Sequence, residues 1–166
     1  MRAAPALALL LAACGSQPQA AQDTPGARLE AAAVQAGLVT DPAKASLAGS
    51  WARDTDRVCV VADQGDTFRI GALIDYGEGQ GCAASGTAQR RGDRVAVTFG
   101  ACRFTAQFEG DRIVFPAEMP SVCDRLCTGR ASLAALTVDH LSASASEAET
   151  LRAPSGKLLC PVGGVD

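Results

Sequence analysis

Residues 82–115, CAASGTAQRRGDRVAVTFGACRFTAQFEGDRIVF, decide the fold. Two tripeptides punctuate the stretch, Arg91-Gly92-Asp93 and Glu109-Gly110-Asp111, and each combines glycine with small polar chemistry that suits tight turns. Around them lie four short runs, Cys82–Arg90, Arg94–Phe99, Cys102–Phe108 and Arg112–Phe115, which read as strands. Working upstream, Tyr76-Gly77-Glu78-Gly79-Gln80-Gly81 is a glycine-rich loop, Thr67–Asp75 alternates, and Asp63-Gln64-Gly65-Asp66 is a turn. Arg57–Ala62 is a short β-branched run before it. Turn signals every 8–12 residues predict an antiparallel meander over about 47–115 that closes into a small barrel or a sandwich.

Downstream, Pro116 and Pro120 end the strand region. Residues 121–135 and 144–152 read as helical, with Ser144/Glu147 or Ser146/Glu149 as a capping box and Val138–Leu141 as a further strand. The stretch 116–166 is therefore expected to be a mainly helical C-terminal part. Near the start, Thr24-Pro25 has the form of an N-cap followed by proline at the first helical position. Leu29, Ala32, Ala33 and Ala36 repeat at helical spacing up to Gly37, which predicts a helix over 25–36 whose apolar face packs on the domain. The expectation is a mainly β fold: one disulfide-bonded domain over 25–166, with short helices at both ends.

The 166 residues carry 15 Lys and Arg against 18 Asp and Glu, a net charge of −3. That balance argues against a protein that tracks nucleic-acid phosphates. No basic run is present to dock on anionic lipid. One Trp, one Tyr and five Phe leave the core to be built mostly from Val, Leu, Ile, Ala and cystine.

The first residues carry a separate message. Arg2 is followed by 11 apolar residues, 3–13, too few for a spanning helix, which needs roughly 20. The run ends in Leu11-Ala12-Ala13-Cys14-Gly15-Ser16. This resembles the cleavage and lipidation site of bacterial lipoproteins, with 1–13 as the signal peptide. The resemblance implies that Cys14 becomes the new N-terminus, carrying diacylglycerol on sulfur and a fatty acid such as palmitate on nitrogen. Residues 14–24 then form a flexible tether. Because Gly15 is not the aspartate that commonly retains such proteins in the inner membrane, the resemblance implies a lipid-anchored protein of the outer membrane facing the periplasm.

An exported chain with six further cysteines, Cys59, Cys82, Cys102, Cys123, Cys127 and Cys160, reads as a disulfide framework. With Gly92 at the centre of the Arg91-Gly92-Asp93 hairpin, Cys82 and Cys102 stand at equal distances from the turn and face each other. A bulge at Gly100 would shift that register by one residue. Cys123 and Cys127 would share a helical face and form a local bridge, leaving Cys59 with Cys160. Exchanges such as Cys59–Cys123 stay open.

The remaining chemistry-bearing residues read as structural. His140 has no companion ligand, so neither a zinc site nor any other metal or cofactor site is expected. Gly77–Gly81 enters a strand instead of opening a helix, unlike a phosphate cradle. Asp54-x-Asp56 starts like a calcium loop but continues with Val58. The Arg91-Gly92-Asp93 tripeptide is explained by turn chemistry, and no catalytic constellation emerges. Trp51, Arg53, Asp54, Asp56 and Arg57 crowd the first strand and form the candidate partner-binding edge. The alternative for them is an edge strand protected by charge against self-association.

The opening Leu47-Ala48-Gly49-Ser50-Trp51 is similar to the start of lipocalin-like barrels. With Cys59 and Cys82 following, it also resembles small peptidase inhibitors of the alkaline-proteinase-inhibitor type. The mature chain as a whole resembles uncharacterised envelope lipoproteins. Three functions are compatible with these resemblances. The first is a non-catalytic envelope lipoprotein that contacts another envelope protein or the wall. The second is an inhibitor of a periplasmic peptidase or lysozyme, and the third is a carrier of a small apolar ligand.

Overall fold

The computed structural model describes residues 24–161, so Cys14, the expected signal peptide 1–13 and all but the last residue of the expected tether lie outside the described residues. The chain divides into two compact units, one ending at Val39 and one starting at Thr40. The first contains helix α1, Pro25–Gln35, capped by Thr24, whose hydroxyl oxygen accepts from the Ala27 N–H at 3.2 Å. None of its residues is buried, where the sequence led us to expect a packed apolar face.

The second unit is an eight-stranded closed antiparallel barrel in which every strand pairs with its neighbours in sequence and the last closes on the first. The strands are β1 Gly49–Arg53, β2 Asp56–Ala62, β3 Thr67–Asp75, β4 Gly81–Arg91, β5 Arg94–Phe99, β6 Cys102–Phe108, β7 Arg112–Val114 and β8 Thr137–Ser142. Alternation places every second side chain inside. In β5, Val95, Val97 and Phe99 are buried, whereas Arg94 and Ala96 are exposed. The few aromatics are concentrated in this interior. Trp51 meets Phe108 edge-on at 5.8 Å, and Phe104 lies between Phe99 and Phe115 at 6.0 and 4.7 Å.

A closed meander puts alternate turns at alternate ends. At the end holding the Gly92-Asp93 turn, Arg90 fastens the segment that leads into β1. Its guanidinium lies 4.4 Å from the Phe108 ring centre and donates to the carbonyls of Ala45 (2.6 Å) and Pro42. At the other end, residues between β7 and β8 fold over the barrel as a short 3₁₀ segment, Ser121–Leu126, with Leu133 and Leu136 beneath.

The helical expectation for 116–166 is corrected here. Beyond Pro116 the chain forms that 3₁₀ segment, the closing strand β8 and a single helical turn, α2, Ala145–Ala148. Ser144 is the cap of α2, its hydroxyl accepting from the Glu147 N–H at 3.3 Å. The region is held by the pairing of β8 with β1 and β7, by burial of Leu133 and Leu136, and by cystines, not by helix propensity.

Two of the three expected cystines are also corrected. Cys59–Cys160 forms, but Cys82 joins Cys127 and Cys102 joins Cys123. The reason lies in the register. The β4–β5 hairpin turns through two residues, Gly92 and Asp93, so Arg91 faces Arg94 and Thr87 faces Thr98. Strand β5 ends at Phe99, where Gly100, with φ 59°, turns the chain into β6 and sets Cys102 opposite Phe99. Cys82 and Cys102 therefore lie on β4 and β6 with β5 between them. Cys127 is extended (φ −121°, ψ 157°), so it shares no helical face with Cys123.

Outside the barrel wall, residues after β8 build a second small core. Ala148, Leu159 and Cys160 pack on Cys59 and Val61 of β2, with Leu73 of β3 beside them. Gly71 makes this possible: a Cβ there would lie 2.5 Å from the Leu159 Cβ and 2.9 Å from the Cys59 sulfur.

Candidate functional site

The residues expected to form a partner-binding edge occupy the β1–β2 hairpin, and the fold separates them. Trp51 is 0% exposed and donates its indole N–H to the Leu47 carbonyl at 3.1 Å. It is a core residue and is withdrawn from the candidate surface. Strand β1 is not an edge either, because it pairs with β2 on one side and β8 on the other. Charge is therefore not needed there to protect an open strand.

The other four residues stay at the surface or close to it. Asp54 takes φ 50° in the two-residue turn, a conformation aspartate tolerates better than most. Arg57 spans the turn, donating to the carbonyls of Asp54 (2.7 Å) and Asp56 (2.8 Å). Burial pushes the Asp56 carboxyl above its ordinary value, and Asp54 adds to this. Arg57 and a hydrogen bond from the Asp75 backbone act in the opposite sense.

Arg53 points to a residue that the sequence reading passed over. Its Nε and Nη2 donate to Asp139 of β8 at 2.9–3.1 Å, while Arg112 of β7 donates its Nε to the same carboxylate at 2.9 Å. Hydrogen bonds from Arg112 and then Arg53 hold the Asp139 carboxyl below its ordinary value. The pairing is legible only once β8 is known to close on β1, because Asp139 then lies opposite Ala52 and Arg112.

Beside the hairpin lies an open cleft of about 670 Å³ between the β1–β2–β8 seam and the segment containing α2. Val58, Leu141 and Leu151 give it apolar walls, and Arg57 and Glu147 put opposite charges on its rim. Leu141 is 65% exposed, a large apolar side chain left uncovered. His140 covers Trp51, ring centres 4.9 Å apart, and its backbone N–H donates to the Asp111 carbonyl at 2.7 Å. Among the described residues, no group of three or more His, Cys, Asp or Glu side chains is placed to hold a metal ion. No described helix is long and apolar enough to cross a membrane. The arrangement combines a concave surface, opposite charges and an exposed apolar side chain.

Comparison with protein-family models, with curated proteins and with solved structures finds no match to this chain.

Proposed function

We propose that this chain is a non-catalytic lipoprotein of the bacterial envelope. Acylated Cys14 tethers it at the membrane, on the periplasmic face of the outer membrane. The disulfide-bonded barrel then serves as a rigid module that docks another envelope component, a protein or the wall. The observation that carries this reading is the cysteine balance. Of seven cysteines, six are spent in three bridges, and the one left over is Cys14 in the lipidation motif. Such bridging fits an oxidising compartment, and a sulfur kept out of it is free for acylation.

The filled interior supports docking over carriage of a small apolar ligand. Trp51, Phe108, Ile70, Val95 and Val97 are buried together in the barrel interior and fill it. Replacing Cys14 with serine and fractionating cells tests the proposal. The wild-type chain is expected in the membrane fraction with acyl mass on its N-terminal cysteine, and the variant in the soluble periplasm. Membrane association that survives Cys14→Ser, with an unmodified thiol at Cys14 in the wild type, would refute it.

A further inference from the structure

We propose that the outer face of β3–β6 binds a carboxylate-bearing glycan through a frame of four arginines, Arg69, Arg91, Arg94 and Arg103. This deepens the docking role above and rests on it for where such a polymer would be met.

The strand register lays the face out in rows. Arg69 pairs with Thr87, Thr87 with Thr98, and Thr98 with Arg103, so these four stand side by side across the sheet. The next row is Thr67, Gln89, Ala96 and Thr105, and beyond it come Arg91, Arg94 and Gln107. Along β5, Arg94 and Thr98 are four residues apart, which separates the two arginine rows by about 13 Å. Arg69 and Arg103 thus flank one end of the face, the adjacent pair Arg91 and Arg94 stands at the other with Gln107 beside it, and hydroxyl, amide and methyl groups lie between.

No Asp or Glu occupies an outward position of β4, β5 or β6, although the chain is net acidic. Two carboxylates border the face. Asp63 lies 4.0 Å from the Arg69 Nε, and Asp93, in the turn, accepts from the Gln107 side-chain amide at 2.8 Å. Among the described residues neither Arg94 nor Arg103 makes an ion pair within 4.0 Å, although Arg94 helps hold the neighbouring Asp93 carboxyl below its ordinary value, after the Gln107 hydrogen bond. Arg91 and Arg94 face each other directly, an arrangement that costs stability because like charges repel. A carboxylate placed between the two guanidinium groups would relieve that repulsion.

The small side chain of Ala96 leaves a depression of about 330 Å³, walled by Gln89 and Thr105 and headed by Arg91 and Arg94. Two guanidinium forks at its head match carboxylate geometry bidentately, while Gln89 and Thr105 can exchange hydrogen bonds with ring hydroxyls. No aromatic side chain faces outward from β4–β6, so the contact is ionic and polar and weakens with salt.

The test uses the purified Cys14→Ser chain, free of acyl groups, with three probes: polygalacturonate, neutral dextran, and phosphatidylcholine vesicles containing phosphatidylglycerol. Calorimetry is expected to show salt-sensitive binding to polygalacturonate and none to dextran. The variant R91Q/R94Q/R103Q should weaken that binding by at least about tenfold, and R91K/R94K/R103K should recover only part of it. If the triple variant loses its thermal transition, Arg103→Gln alone, exposed and unpaired, supplies the comparison. Equal binding to dextran, or undiminished binding by the glutamine variants, overturns the proposal. Binding confined to vesicles also overturns it and gives the face to lipid headgroups. Fractionation of Cys14→Ser reads the anchor separately, so either result can fail without the other.

Discussion

Removing the Cys59–Cys160 bridge should cost more stability than removing either of the others. The bridge closes a sequence separation of 101 residues, against 45 for Cys82–Cys127 and 21 for Cys102–Cys123. In the chain-entropy account a cystine acts by restricting the unfolded chain. A closure of this length is worth about 4.7 kcal/mol, whereas the shortest of the three is worth roughly 3.3 kcal/mol. The perturbation is the double variant C59A/C160A, with C102A/C123A as the comparison. At a urea m-value of roughly 2 kcal/mol/M, the first should lower the unfolding midpoint by somewhat more than about 2 M and the second by about 1.6 M. The structure adds a local signature: with the sulfur link gone, the segment after β8 is held only by Ala148, Leu159 and their neighbours. It should become sensitive to limited proteolysis while the barrel stays intact. A midpoint shift for C59A/C160A smaller than that for C102A/C123A would refute the reasoning, since no chain-entropy argument yields that order.

Two further outcomes follow from particular contacts. Gly71→Ala places a Cβ 2.5 Å from that of Leu159, so about 1–3 kcal/mol of overpacking is expected. Thermal melts read the loss, and an unchanged melting temperature would mean that the outer segment does not lie on β3 as described. Asp139→Asn should destabilise the protein at neutral pH. Because the folded carboxyl sits below its ordinary value of 3.8, its contribution is complete above that value and disappears as pH falls through the lower, folded one. Urea midpoints of variant and wild type should therefore differ at neutral pH and converge in strong acid. A gap that persists in acid would show that the two arginines are not its source.

From β2 to β7 the strands were readable because the turns joining them carry glycine, unlike the Asp54-Thr55 turn between β1 and β2. Turns form at Gly92 and Gly110 as expected, the first in a register one residue away from the expected one, and the strand expected near Val138 becomes the one that closes the barrel. What escaped was counting across a turn. Treating Gly92 as the centre instead of the Gly92-Asp93 pair shifted the register by one and carried the β4–β5 hairpin straight through Gly100. The same slip concealed the arginine rows, whose alignment exists only in the correct register. Residues 121–135 misled because alanine, leucine and a four-residue cysteine spacing suit a helix, whereas attachment to β4 and β6 dictates an irregular cover. For the hairpin, composition identified Arg53 and Arg57 as surface groups but could not reveal that Trp51 points inward. Alternation gives two faces, and only closure says which is the core.

The order of the bridges sets a demand on biosynthesis. Reading from the N-terminus, only Cys102 and Cys123 are consecutive partners; Cys82 must pass over both of them to reach Cys127, and Cys59 must wait for Cys160. An oxidant acting on the emerging polypeptide would couple Cys59 to Cys82 first, a link the native molecule does not contain. Maturation must then proceed either by delayed oxidation, after β8 has zipped onto β1, or through thiolate attack that reshuffles an early mispairing. Nested connectivity of this kind is reached from sequential pairing only by thiol–disulfide exchange.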